Sequence, residues 1–176
     1  MPETKKRGAL VGAPGEVILD FSQVKPFEPL DSSSKYLVSV TKLTIDKSKA
    51  GNPKSHCELT ILGPEEVQVE EWIPKEDAPG GMVKVGPKVD DRGRPVMTKA
   101  KGRILFREFS LESKALPFLY EFIHAADPDA ELNESFRYNP QDYMGLTATA
   151  TIQNEAFDEQ IRARVRRMYP ASAYKK

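Results

Sequence analysis

Residues 101–128, KGRILFREFSLESKALPFLYEFIHAADP, decide how the rest of the chain is read. The first part, Arg103 to Phe109, is rich in branched and aromatic residues, the composition of a strand with at least one buried face. Phe106 and Phe109 have opposite parity, so the strand turns one ring to each face. A helix follows. With Ser113 as N-cap, Lys114 to Pro117 occupy the first four helical positions, whose N–H groups lack intrahelical partners, and Pro117 sacrifices no bond there. Ala115, Leu116, Leu119, Phe122, Ile123 and Ala126 recur at helical spacing and predict one apolar stripe. Asp127-Pro128 ends the helix.

Everything around this unit reads as strand or loop. Residues 1–34 hold four prolines and the run Ser32-Ser33-Ser34, which predicts an extended arm with one strand-like piece at Glu16–Phe21. Lys35 to Asp46 alternates as a long strand, with Tyr36, Val38 and Val40 on one face and Leu37, Leu43 and Ile45 on the other. Residues 47–53, KSKAGNP, are a turn, and His56 to Leu62 returns as a second strand. Gly63 to Gly102 carries five prolines and paired glycines, so it reads as a surface excursion with short strands at Val67–Ile73 and Met82–Val85. Asp129 to Asp142 is a polar connection with Phe136 and Tyr138 as anchors. Gly145 to Ile152 alternates again, with leucine, alanines and isoleucine inward and three threonines outward.

Gln153 to Glu159 reads as a turn. Gln160 to Arg166 then alternates Ile161, Ala163 and Val165 against Arg162, Arg164 and Arg166. Helical spacing also matches here, through Phe157, Ile161, Val165 and Met168. The strand reading is preferred because the joining segment has hairpin length. The resulting order, two strands, an excursion, a strand, a helix and two strands, is that of the OB-fold, a five-stranded Greek-key barrel with a capping helix. The expected fold class is therefore mainly β. Residues 35–170 form one domain, preceded by the arm and followed by a basic tail at 171–176.

Composition narrows the function. Lys and Arg number 26 against 26 Asp and Glu, which argues mildly against a polyanion ligand, but the charge is segregated. Lys84 to Arg107 holds eight basic residues against Asp90 and Asp91, and Gln160 to Lys176 holds six with no acid. No apolar run is long enough to span a bilayer, and no apolar segment follows the basic N-terminus, so a cytoplasmic place is expected. The single Cys57 excludes an internal disulfide. His56 and Cys57 are strand neighbours on opposite faces and cannot share a metal. No phosphate-binding glycine loop and no nucleophile elbow occurs, so neither a catalytic residue nor a cofactor or metal site is assigned.

Binding is the better-supported class. Three arginines on one strand face suit a phosphate backbone, with a solvated face paired to the acids of Glu65–Glu71 as the plain alternative. Lys47, Lys49 and Lys54 surround the first hairpin loop, where OB-folds often touch oligonucleotides. Arg103 and Arg107 share one face of the central strand. Trp72, Phe106, Phe109 and Tyr169 are candidate stacking rings, with Tyr169 preferred for its neighbours Arg166 and Arg167.

Taken together, KSKAGNP, the strand into SLESKALPFLYEFIHA, then YMGLTATATIQNE and RARVRRMYP, resemble a phage-encoded family of OB-fold single-stranded-DNA-binding proteins first catalogued as a domain of unknown function. The likeness covers roughly residues 21–170. It implies non-specific coating of single-stranded DNA in phage replication or recombination, in the host cytoplasm, with contacts at the basic first loop and the last-strand arginines. It also implies replication or recombination proteins as partners, and self-association. The chain departs from many such binders in ending AYKK, where they carry an acidic tail, and in the length of its 63–102 excursion. The alternative is a non-enzymatic virion or accessory protein that uses the same barrel for protein contacts.

Overall fold

The computed structural model describes residues 10–11, 15–19 and 28–175. Two short strands, β1 (Leu10–Val11) and β2 (Val17–Ile18), pair antiparallel. Of the predicted 16–21 strand, Glu16 and Leu19 are not strand, and Asp20 and Phe21 lie outside the described residues. Then come β3 (Lys35–Lys47) and β4 (Pro53–Gly63), joined by a loop that Gly51 closes at φ 83°. The excursion contains β5 (Glu66–Gln68), β6 (Glu70–Pro74), β7 (Met82–Pro87) and β8 (Met97–Lys99). The decisive stretch forms β9 (Ile104–Ser110) and helix α1 (Leu116–Ala126), and the chain returns as β10 (Thr147–Phe157) and β11 (Gln160–Pro170).

Five of these strands form a closed ring in the order β10-β11-β9-β4-β3, with β3 back on β10. All neighbours are antiparallel except β11 and β9, which run parallel and share one registered pair, Arg164 with Phe106. The structure is thus mainly β, with one α-helix between the third and fourth ring strands. Inside the ring lie Tyr36, Val38, Val40, Leu59, Ile61, Leu105 and Ile152, and α1 adds Leu119, Phe122 and Ile123 to the same core. Phe122 meets Phe109 at 5.1 Å and Tyr143 at 5.9 Å, tilted pairs that add to simple burial.

Several sequence expectations are corrected by backbone irregularities. A bulge between Val40 and Lys42 shifts parity, so Leu43 joins Tyr36, Val38 and Val40 in the core while Ile45 is exposed. The helix begins later than expected. Ser113–Ala115 form a 3₁₀ turn, Ala115 caps α1, and Pro117 stands in the first α-turn, where its missing N–H costs nothing. Ser113 caps nothing, and Leu116, expected in the stripe, is exposed, while Ala125 is buried. Thr149, expected outward, is buried because its hydroxyl donates to the Pro170 carbonyl at 3.0 Å. Residues 153–157, expected as turn, continue β10. The turn is only Asp158-Glu159, both at positive φ, a two-residue hairpin connection. The last segment is strand, not helix.

Phe136 and Tyr138 do anchor the long connection, Tyr138 through a 2.7 Å hydrogen bond between its hydroxyl and that of buried Ser55. The excursion is two nested hairpins, β5 with β8 and β6 with β7, and it leans on the barrel. Gly80 sits so close to the β10–β11 hairpin that a Cβ there would fall 2.0 Å from the Ala156 carbonyl oxygen, and its own carbonyl accepts from Glu159 N–H at 3.0 Å. Residues 171–175 fold against the barrel end, with Tyr174 over Gly63.

Glu121 on α1 pairs with Arg107 of β9 at 3.4 Å and with Arg167 of β11 at 3.2 Å. Its carboxylate therefore clips the two strands that share a single registered pair. Glu121→Ala leaves the largely buried Arg107 without its counter-charge and should cost on the order of 2 kcal/mol, less than the roughly 3–5 kcal/mol of a fully buried pair. Urea unfolding of the variant against the parent checks this.

Candidate nucleic-acid interface

Ring closure sorts the basic residues. On β9, odd positions point inward, so Arg103 and Arg107 do not share an outer face as the alternation alone allowed. The Arg103 guanidinium donates to the Glu28 carbonyl at 2.7 Å. Arg107 is 11% exposed, packs its guanidinium 4.9 Å from the Phe109 ring, and pairs with Glu121. Burial pulls both guanidinium groups below the usual range, and for Arg107 the carboxylate of Glu121 opposes that pull.

The opposite parity of β9 faces out. Phe106 is 53% exposed in mid-sheet, opposite Glu58 on β4 and Arg164 on β11, with the His56 ring 6.1 Å away. Lys54, expected on the loop as a free cation, is held by Glu108 at 2.8 Å. That pairing, with help from His56, lowers the Glu108 carboxyl. Lys47 and Lys49 are exposed at the loop end, but Lys47 pairs with Pro53 and so has the parity of buried Leu43, opposite to that of Phe106, while Lys49 lies in the loop itself. They lie about 13 Å or more along β4 from the Phe106 level, at about 3.3 Å per residue.

The arginines of β11 form the cationic edge of this face. Arg162 lies over the exposed Phe157 ring at 5.0 Å, and Arg164 pairs with Glu155 across the hairpin at 3.1 Å. The acids of Glu65–Glu71 are not their partners: Glu65 meets Lys101, and Glu70 meets Lys84. Arg166 occupies the irregular register where Thr151 faces Arg167 and Ile152 faces Val165, and among the described residues it has no ion pair. Tyr169 is only partly exposed, with Lys35 5.9 Å from its ring centre, and it lies about five residues beyond Arg164, roughly 17 Å. Tyr169, the preferred stacking ring in the sequence, and the exposed Phe106 are thus set well apart along the sheet.

Trp72 is half-buried. It stands between two clefts where β6 and β7 approach the barrel. One, of about 340 Å³, is walled by Trp72 and Lys84, by Ile152, Gln153 and Asn154 of β10, and by Arg166. Beneath it Glu70 is 3% exposed and saturated: Ser32 donates its N–H at 2.8 Å and also its hydroxyl, Lys84 donates at 2.9 Å and Asn154 Nδ2 at 2.7 Å. Burial alone would raise the Glu70 carboxyl, but the bonds from Ser32, Asn154 and Lys84 outweigh it and hold the group at about 2. This cluster ties the 28–34 segment, the excursion and β10 together. Sequence reading missed it, because a glutamate inside an acidic run looks solvated. Asn154 Nδ2 also donates to the Leu30 carbonyl at 2.6 Å, which sets the amide orientation and leaves Oδ1 without a partner among the described residues. Trp72 Nε1 is likewise buried and unpaired there, at a cost of about 1–3 kcal/mol each.

Among the described residues, no group of three or more His, Cys, Asp or Glu is placed to hold a metal, and no helix is long and apolar enough to cross a membrane. Cys57 is buried, and burial pushes its thiol up to about 12. No protein-family model matches the chain, and a search of curated proteins finds no match either.

Because the folded Glu70 pKa lies below the ordinary 4.5, its stabilising effect is complete above about pH 5 and is lost as pH falls toward 2. The difference of two to three units corresponds to about 3 kcal/mol. Glu70→Gln should lose a comparable amount at pH 7 and show a flatter fall in stability between pH 5 and 2 than the parent. Urea midpoints across that range provide the comparison.

Proposed function

We propose that this chain is an OB-fold protein that binds single-stranded DNA along the outer face of β9 and β11 without sequence specificity. The fold reading is supported by the ring order, the parallel β9–β11 contact and the position of α1 between β9 and β10, which match the connectivity of that barrel. The exposed Phe106, in register with Arg164 on the strand that also carries Arg162, carries the functional reading. A base stacks on the ring while phosphates exchange Glu155 and solvent for the β11 guanidiniums; Lys47 and Lys49, beyond the end of this face, offer further cations to a longer strand. Stacking on an aromatic side chain is indifferent to base identity, and phosphate contact is indifferent to sequence. The family likeness adds the setting, coating of single strands during phage replication or recombination.

A second reading, a scaffold that binds proteins, is favoured by one observation. Leu116, Phe118 and Tyr120 on α1 are 43–59% exposed. It predicts association through α1 that is insensitive to oligonucleotide.

A labelled single strand of about 30 bases should bind tightly at low salt, with affinity falling about 0.7 log units per log unit of salt for each phosphate contacted. Replacing Arg162, Arg164 and Arg166 together by alanine should flatten that slope by about 2. Phe106→Ala should weaken binding by about 1–3 kcal/mol with the slope unchanged. Well-folded protein that ignores the strand at low salt contradicts the reading.

A further inference from the structure

Resting on the single-strand reading above, we infer that the 340 Å³ cleft between the excursion and β10 is a nucleobase pocket, in which one base of the bound strand is turned in beside Trp72 with its phosphate on Arg166. The cleft is at the small end of ligand sites, suited to one base and its sugar. Its wall combines the half-buried indole, the Gln153 amide, Lys84 tied to Glu70, and Arg166 as the cation left for an anion, the chemistry of a planar polar group bearing a phosphate.

The charges in the cleft have distinct duties. Lys84 and the other donors on Glu70 consume that carboxylate, so it is not left to repel a phosphate. Arg166 has no such duty. It lies on β11, two residues beyond Arg164, and belongs to both the cationic edge and the cleft wall. A backbone following the β11 guanidiniums therefore arrives at the mouth of the cleft. Trp72 and Asn154 line the cleft, although the indole N–H of Trp72 and Oδ1 of Asn154 are themselves buried, so the face of the indole and the Gln153 amide are what a base would meet. The excursion thereby has a task beyond connection. It supplies the indole, and Gly80 holds it against the β10–β11 hairpin that supplies the rest.

Trp72 is the single tryptophan, so the full chain reports on its own cleft. The experiment titrates it with an end-labelled oligothymidylate, following label anisotropy for binding and Trp72 emission for the pocket, and repeats both with an abasic strand of equal length. The expected result is emission that falls by half or more in step with anisotropy, and an abasic strand that binds without quenching. Gln153→Ala should weaken the base-bearing strand about 3- to 10-fold and leave the abasic strand unchanged. A rise in anisotropy with unchanged emission overturns the pocket while leaving the outer-face reading intact. Equal quenching by the abasic strand overturns it as well, because the signal then comes without a base. Absence of any anisotropy change at low salt overturns both.

Discussion

The seam between β9 and β11 is the constraint on which this structure depends. Four of the five ring contacts are antiparallel ladders of five to ten residue pairs, and this one is a single parallel pair. A ring closed so thinly needs support from outside the sheet, and α1 supplies it twice. Leu119, Phe122 and Ile123 fill the space beneath the seam, and Glu121 spans it with two ion pairs. Arg107 is consequently a seam residue despite its charge. The same demand explains why a proline-started helix of three turns follows β9 so closely, through Ser113–Ala115.

Closure has a second consequence, a strict division of labour between strand faces. Alternation buries Leu105 and Phe109 and thereby turns Phe106 outward, while Ala163 and Val165 pack against the core and place Arg162 and Arg164 on the surface. The exposed ring and the guanidiniums become neighbours because β9 and β11 run parallel there, not because of any proximity in sequence. Two irregularities adjust this arrangement. The bulge near Thr41 keeps Leu43 in the core, and the shift opposite Thr151 turns Arg166 toward the excursion. The excursion is held in place by a buried carboxylate, Glu70, whose four donors come from three separate parts of the chain.

Local pattern revealed the five ring strands, the helix and their order, because apolar spacing and proline position are properties of neighbouring residues, but it merged β5 with β6 and missed β1 and β8. It misjudged whatever depended on register. Leu43 appeared on the wrong face because a one-residue bulge leaves no mark in composition. Gln153–Phe157 looked like a turn because its outward polar residues hide the alternation of Ile152 and Asn154. The actual turn uses Asp158 and Glu159 at positive φ, where glycine or asparagine would have announced it. Arg103, Arg107 and Lys54 read as available cations, and their partners, Glu28, Glu121 and Glu108, come from other elements. Phe106 was visible as a candidate ring, but which of Phe106 and Phe109 faces out is decided by the closing of the ring.

The most direct test is where a bound strand touches the protein. Photocrosslinking a bromouracil-substituted single strand to the full chain, followed by peptide mapping, reads the contact surface without mutation. The account predicts adducts in the peptides of β9 carrying Phe106 and of β11 carrying Arg162 to Arg166. Adducts confined to α1, around Phe118 and Tyr120, would contradict it and place any ligand on the helix face.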